Sequence, residues 1–215
     1  MARLSGLRVD VTARKQAEMR QDILIAELDH RVKNTLARVA AVAKQTRERS
    51  HSIDDFVKTL DGRLQSMAAA HSLLSESRWK GVGMADLIRD QLAPHATEAN
   101  LAIEGPNIML PAATTQALAM VVHELVTNAA KFGALSTAGG RVSISWTAPS
   151  GRDGAGDLAV EWREAGGPPV AKPTHAGVGT DLIRELIPHE LNGSVELAFD
   201  PDGVCCRMRF PLRQP

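Results

Sequence analysis

The stretch PAATTQALAMVVHELVTNAAKF, Pro111–Phe132, decides how the rest of the chain is read. A proline stands near its start, where a missing N–H costs a helix nothing. Beyond it Leu118, Val121, Val122, Leu125 and Ala129 recur at helical spacing, which predicts an amphipathic helix. Glu124, Asn128 and Lys131 follow one another at i, i+4 and i+7. On the helical wheel they fall within about 60° of each other, along one flank of the apolar face. An acid, an amide and a base in that row suit a solvated helix edge. They also suit a magnesium nucleotide: the amide oxygen can ligate a hard cation that keeps several of its waters, and the lysine can contact phosphate.

Downstream, the texture is that of strands and glycine-rich connections. RVSISWT (Arg141–Thr147) alternates Val142, Ile144 and Trp146 on one face, a strand signal. SGRDGAGD reads as a turn and LAVEW (Leu158–Trp162) as another strand. EWREAGGPPV follows that strand's end; Gly166 and Gly167 permit close backbone approach, and Glu164 could accept from an exocyclic amine. Gly177 and Gly179 in THAGVGTDLIREL stand just before a helix, where exposed N–H groups favour phosphate. Each glycine cluster alone is more often a turn. Their order gives the pattern its specificity: a helix with acid, amide and base, then strand, acid and Gly-rich loop, then GxG and helix. TDLIRELIPHEL reads as one helix or two, GSVELAF as a strand, and VCCRMRF as a last strand with Val204, Cys206, Met208 and Phe210 inward. Upstream, MADLIRDQLAPH reads as a short helix stopped by Pro94, and NLAIEG as a short strand. This part is therefore α+β, a mostly antiparallel sheet with helices on one side.

Ahead of it lie two longer helices. From about Arg14 to Arg49 no Gly or Pro occurs, and Ile25, Leu28, Val32, Leu36, Val39 and Ala43 recur at spacings close to a heptad. Ser52 with Asp55 makes a capping-box pattern, and a second helix carries Phe56, Leu60, Leu64, Met67, His71 and Leu74 before Gly81 and Gly83 break it. A two-helix hairpin leaves one stripe uncovered; it closes into a four-helix bundle with a second copy, or packs on the rest of its own chain. The best boundary lies near Arg78–Gly83. His30, in ELDHRVKNTL, falls roughly opposite the centre of the first helix's stripe and faces water, with Asn34 beside it four residues on. A neutral imidazole is a competent nucleophile and is available at pH 7. A solvated surface histidine is the plain alternative, and the reading kept for His51, His71, His95, His175 and His189.

Bulk composition narrows the classes. Lys+Arg and Asp+Glu each number 25, so the formal net charge is zero, without the basic excess of a nucleic-acid binder. No Tyr, three Trp and four Phe give little for base stacking. Cys205 and Cys206 are neighbours, which point to opposite faces of a strand; no disulfide framework or cysteine-rich metal site follows. No apolar run reaches the roughly 18 residues of a membrane-spanning helix, and the start of the chain lacks a secretory signal core. A cytoplasmic location is expected.

Taken in order, these motifs resemble those of the sensor histidine kinases, in the HWE subgroup. ELDHRVKNTLARVAAVAKQT resembles the phosphoacceptor box, and HELVTNAAKFGALS the N box with its preceding histidine, His123. VEWREAGGPPV resembles the G1 box with the Trp-x-Glu signature, Trp162 and Glu164, and AGVGTDLI the G2 box. The resemblance runs from about residue 20 to 212, while GLRVDVTARKQAE resembles the exit of a PAS sensor domain. It implies a linker over 1–16, a helical-hairpin dimerisation and phosphotransfer domain over 17–80, and a Bergerat-type ATP-binding catalytic domain, an α/β sandwich, over 81–215.

The resemblance also implies roles. His30 accepts the phosphoryl group from ATP and passes it to an Asp of a response-regulator receiver. Glu124 orients or activates, Asn128 holds Mg2+, and Lys131 touches phosphate. Glu164 recognises adenine, with Gly166 in the same loop, and Gly177 and Gly179 shape the lid over the triphosphate. His123 and Trp162 mark the subgroup. The chain departs from wider histidine-kinase patterns at Arg31, where an acid often follows the histidine, and at Ala176 and Val178 in the G2 box, where a basic residue and a Phe are usual. A phosphotransfer hub with a decayed nucleotide site is the alternative, ranked second because Glu124, Asn128, Glu164 and the glycines are all present. A nucleotide-driven ATPase of the same fold, with His30 dispensable, ranks last.

Overall fold

The computed structural model of the chain describes residues 12–97, 99–148, 156–170 and 178–212. Residues 1–11 of the expected linker, most of the expected turn over 150–157, and the loop residues 171–177, with Ala176 and Gly177, lie outside them. Contacts divide the chain into two compact units, one ending at Arg47 and one beginning at Glu48.

The first unit is almost entirely helix α1, Thr12–Arg49, uninterrupted as the lack of Gly and Pro predicts. Along its apolar stripe Ile25 is 49%, Val32 55% and Leu36 62% exposed, while Val39 and Ala43 are half-buried. His30 is exposed as well. The Asn34 side-chain amide lies 3.5 Å from His30 Nδ1, the i, i+4 neighbour that helical geometry requires.

The second unit opens with α2, Ile53–Glu76, capped as expected: the Ser52 side chain accepts from the Asp55 N–H, and the Asp55 carboxylate accepts from the His51 N–H. There follow β1 (Val82–Gly83), α3 (Met84–Leu92), β2 (Leu101–Glu104), β3 (Met109–Leu110) and α4 (Ala112–Lys131). After a short 3-10 turn at Ala134–Ser136 come β4 (Arg141–Thr147), β5 (Asp157–Ala165), α5 (Val178–Leu191), β6 (Ser194–Asp200) and β7 (Gly203–Pro211). Five strands form one sheet in the order β2-β4-β5-β7-β6. Only β2–β4 is parallel; the other neighbours are antiparallel. Val142, Ile144 and Trp146 of β4, Leu158, Val160 and Trp162 of β5, and Cys206, Met208 and Phe210 of β7 turn one face of the sheet inward. α3, α4 and α5 join them in a single hydrophobic cluster through Leu87, Leu118, Leu125, Ile183 and Ile187. Central β5 runs to Ala165, so its inward alternation carries Glu164 into the interior two residues beyond Trp162.

The compact units part at Arg47–Glu48, because α2 packs on the sheet-bearing unit, whereas the domain boundary expected from the sequence lies near Arg78–Gly83. The buried face of α2 is Arg63, Ser66, Ala70 and Leu74. The apolar row Leu60, Leu64, Met67 is only half-buried and His71 is exposed, set edge-on to Trp79. The face that docks is thus turned by about 70° from the one hydropathy picks, with Leu74 common to both. Small side chains let α2 approach closely, and polar ones are satisfied across the contact: Ser66 donates to Gln91 Oε1 at 2.8 Å and to the Ala119 carbonyl at 3.3 Å.

Candidate functional site

α4 carries the acid, amide and base along one flank as its spacing demands, and the structure grades them from interior to solvent. Glu124 is buried, Asn128 half-buried and Lys131 exposed. α5 begins against the first two. Gly179, in its first turn, has no room for a side chain: a Cβ there would collide with Glu124 Oε2 and stand 3.4 Å from Asn128 Nδ2. The N-terminal end of α5, where backbone N–H groups lack helical partners and attract anions, therefore meets the carboxylate–amide pair of α4. Glu124, Asn128 and Gly179 come together from segments more than fifty residues apart in sequence.

The other carboxylate oxygen of Glu124 is taken by a residue that the sequence reading missed. Arg63 Nε of α2 donates to Glu124 Oε1 at 2.6 Å, with the arginine side chain fully buried. Next to it on α4, His123 lies against α2 at Gly62, whose Cβ, if present, would stand 3.1 Å from His123 Nε2. Burial holds the His123 imidazole below its ordinary value, against an opposing pull from Glu124.

Glu164 occupies a second corner, at the end of β5. Its carboxylate is buried and held by two neutral donors: the Ala134 N–H reaches Oε2 at 2.9 Å, and the Trp162 indole N–H reaches Oε1 at 3.2 Å. Trp162 and Glu164 share the inward face of one strand, where residues i and i+2 are neighbours, so the spacing of the Trp-x-Glu signature is the spacing of a hydrogen bond. Burial pushes the Glu164 carboxyl above its usual range, partly offset by these two donors. Each oxygen accepts one of these bonds, and a carboxylate has about four acceptor sites. Gly166 follows at φ +72°, a left-handed turn that glycine adopts without strain. The Thr137 hydroxyl donates to its carbonyl at 3.1 Å, tying the loop to the turn beyond α4.

Among the described residues no group of three or more His, Cys, Asp or Glu is disposed to hold a metal ion. A magnesium that arrives with a nucleotide needs no such cage: one protein oxygen, phosphates and waters complete its shell. The half-buried Asn128 amide beside the α5 terminus fits that demand. No helix among the described residues is long and apolar enough to cross a membrane.

Residues 27–107 match the family described as HWE histidine kinase. Blue-light-activated histidine kinases of Rhizobium johnstonii and Brucella anthropi are 33% and 32% identical to the chain over 98% and 97% of its length. The chain spans 60% and 43% of those two proteins. Among solved structures, the blue-light activated histidine kinase of Erythrobacter litoralis superposes with a TM-score of 0.64 at 19% identity, over 90% of this chain and 60% of that one. Its isolated histidine kinase domain gives 0.55 at 16%, over 82% and 94%. At those identities the likeness is one of fold.

Proposed function

On the premise that residues 27–107 form an HWE histidine kinase domain, we propose that the chain is an ATP-dependent protein-histidine kinase of two-component signalling. It phosphorylates His30 and passes the phosphoryl group to an Asp of a response-regulator receiver. The observation that carries this reading is the meeting of Glu124 and Asn128 with the start of α5 at Gly179.

In this reading ATP is the substrate of the second unit. Glu164, fixed by the Trp162 indole and the Ala134 N–H, accepts from the adenine amine with a lone pair left over. Lys131 approaches phosphate from the solvent side, Gly166 lets the backbone come close to the base, and Gly177 with Gly179 shapes the lid. Asn128 holds Mg2+, which neutralises phosphate charge. His30 supplies the nucleophile: a bond forms from an imidazole nitrogen to the γ-phosphorus as the bond to the departing ADP oxygen breaks, and the imidazole proton is then released. The Asn34 amide that faces Nδ1 at 3.5 Å can act in either orientation. With its oxygen inward it accepts the Nδ1 proton, which leaves the Nε2 lone pair as the attacking one. Positioning and charge neutralisation carry the acceleration. The bare stripe Ile25, Val32 and Leu36 on α1 supports pairing with a second copy, and the partner chemistry supports a cytoplasmic location.

The test is incubation with γ-labelled ATP and magnesium, comparing wild type with His30→Ala and Asn128→Ala. Acid-labile label in wild type, absent from both variants, is the expected result. No label and no nucleotide binding in wild type would turn the reading to a phosphotransfer hub.

A further inference from the structure

We propose that Arg63 of α2 is a positioning residue for phosphoryl transfer, acting through Glu124; this rests on the kinase reading above. Glu124 stands where the flank of α4 meets the first turn of α5, its Oε2 against Gly179 and its Oε1 bonded to Arg63 Nε at 2.6 Å. A carboxylate beside a triphosphate repels it unless its charge is balanced and its orientation fixed. The guanidinium does both from inside the protein, since the Arg63 side chain has no exposed surface. The helix that delivers it is itself seated closely: Gly62 lies against the His123 imidazole, and Ser66 bonds to Gln91 and the Ala119 carbonyl. Gly62, Arg63 and Ser66, on adjacent turns of α2, thus address α4 and α3 of the nucleotide-binding unit. Charge-assisted hydrogen bonds to a buried carboxylate are short and directional, so Glu124 points where α2 places it. The consequence is specific: α2 is part of the reaction site's scaffold, and loss of Arg63 should lower the rate of transfer without a matching loss of nucleotide affinity.

The experiment uses the full chain with Arg63→Met, Arg63→Lys, Glu124→Gln and the double variant Arg63→Met/Glu124→Gln. Binding of a fluorescent ATP analogue with Mg2+ is measured beside kcat and KM for acid-labile labelling, and each variant's thermal transition verifies folding. Arg63→Met is expected to lose about 100-fold in kcat, the scale of a small misplacement of reacting groups, with KM and analogue affinity within about threefold. The double variant, which buries no unpaired charge, should fold and match Glu124→Gln alone, because Arg63 works through that carboxylate. Should Arg63→Met fail to fold, Arg63→Lys decides: its compact ammonium replaces a planar fork, and about a tenfold fall in kcat at unchanged KM is expected. Wild-type kcat in folded Arg63→Met or Arg63→Lys, or a double variant well below Glu124→Gln, overturns the proposal and leaves the kinase reading standing. Absence of label in wild type overturns the kinase reading, and this proposal with it.

Discussion

Glu124 and Glu164 are both buried carboxylates of one unit, 5% exposed each, yet the protein treats them in opposite ways. Glu124 is matched by a guanidinium from another helix. Among the described residues Glu164 meets neutral donors, one backbone and one indole, and its carboxyl is pushed up by burial. An ion pair fixes a charge and its direction. A neutral cradle leaves a carboxylate with unmet demand for hydrogen bonds, suited to a ligand that brings a donor. In the proposed kinase reading, the difference lets one site use two acids without having them do the same work.

The largest break in this comparison comes from removing each acid's charge. Glu124→Ala withdraws the carboxylate from a fully buried arginine, and breaking such a pair costs about 3–5 kcal/mol. Glu164→Gln keeps the shape, but its amide must turn an NH2 toward either the Ala134 N–H or the Trp162 N–H, leaving one donor facing another. That costs about 1–3 kcal/mol. Urea unfolding of the two variants should rank them in that order. Equal losses would mean that the guanidinium matters no more than a neutral donor.

Proton linkage sharpens the same contrast with a smaller effect. His123 is held below its ordinary 6.5, so between that value and its lowered folded one the unfolded chain binds the extra proton. Stability is whole above pH 6.5 and declines as pH falls through that window. Glu164, raised above 4.5, works the other way: the folded chain holds the extra proton, and stability declines as pH rises from 4.5 through the raised value. Melting temperatures of His123→Gln and wild type from pH 7.5 to 5.5 should converge as pH falls if His123 carries its share. Parallel curves would remove it from the account.

These pairings also show what was legible in the chain and what was not. Glu124, Asn128 and Lys131 could be read because a helix repeats every 3.6 residues; Trp162 with Glu164 came only from the Trp-x-Glu signature, because the strand was expected to end at Trp162, whereas β5 runs on to Ala165. β4 over Arg141–Thr147 agrees with its alternation to the residue. The β1–β3 ribbon, two residues a side, is too short to alternate and went unread. Pro188 left open whether one helix or two followed; α5 is continuous to Leu191, with the proline in its last turn. Arg63 was invisible for a different reason. Its partner is 61 residues away, and hydropathy counts a charged residue as facing solvent. The available signal was the company it keeps, Gly62, Ser66 and Ala70, a row of small residues along which a helix can approach a neighbour closely.

The smallest prediction concerns an arginine that looks better partnered than Arg63. Arg49 Nη1 lies 2.9 Å from Asp181 and Nη2 2.7 Å from Glu185, two acids one turn apart near the start of α5. By contacts alone this clasp should outrank the Arg63–Glu124 pair. By physics it should not, because Arg49 and Asp181 are more than a quarter exposed and Glu185 nearly half. Water and salt already solvate and screen such charges, which limits an exposed pair to about 0.2–1 kcal/mol. Arg49→Gln should therefore lower the melting temperature slightly in dilute buffer, and the difference should vanish in high salt. Arg63→Met should lose stability at either ionic strength, because its pair is closed to ions. A salt-insensitive loss in Arg49→Gln as large as that in Arg63→Met would show that the number of partners, rather than their burial, sets the strength with which these two arginines hold the start of α5 and the flank of α4.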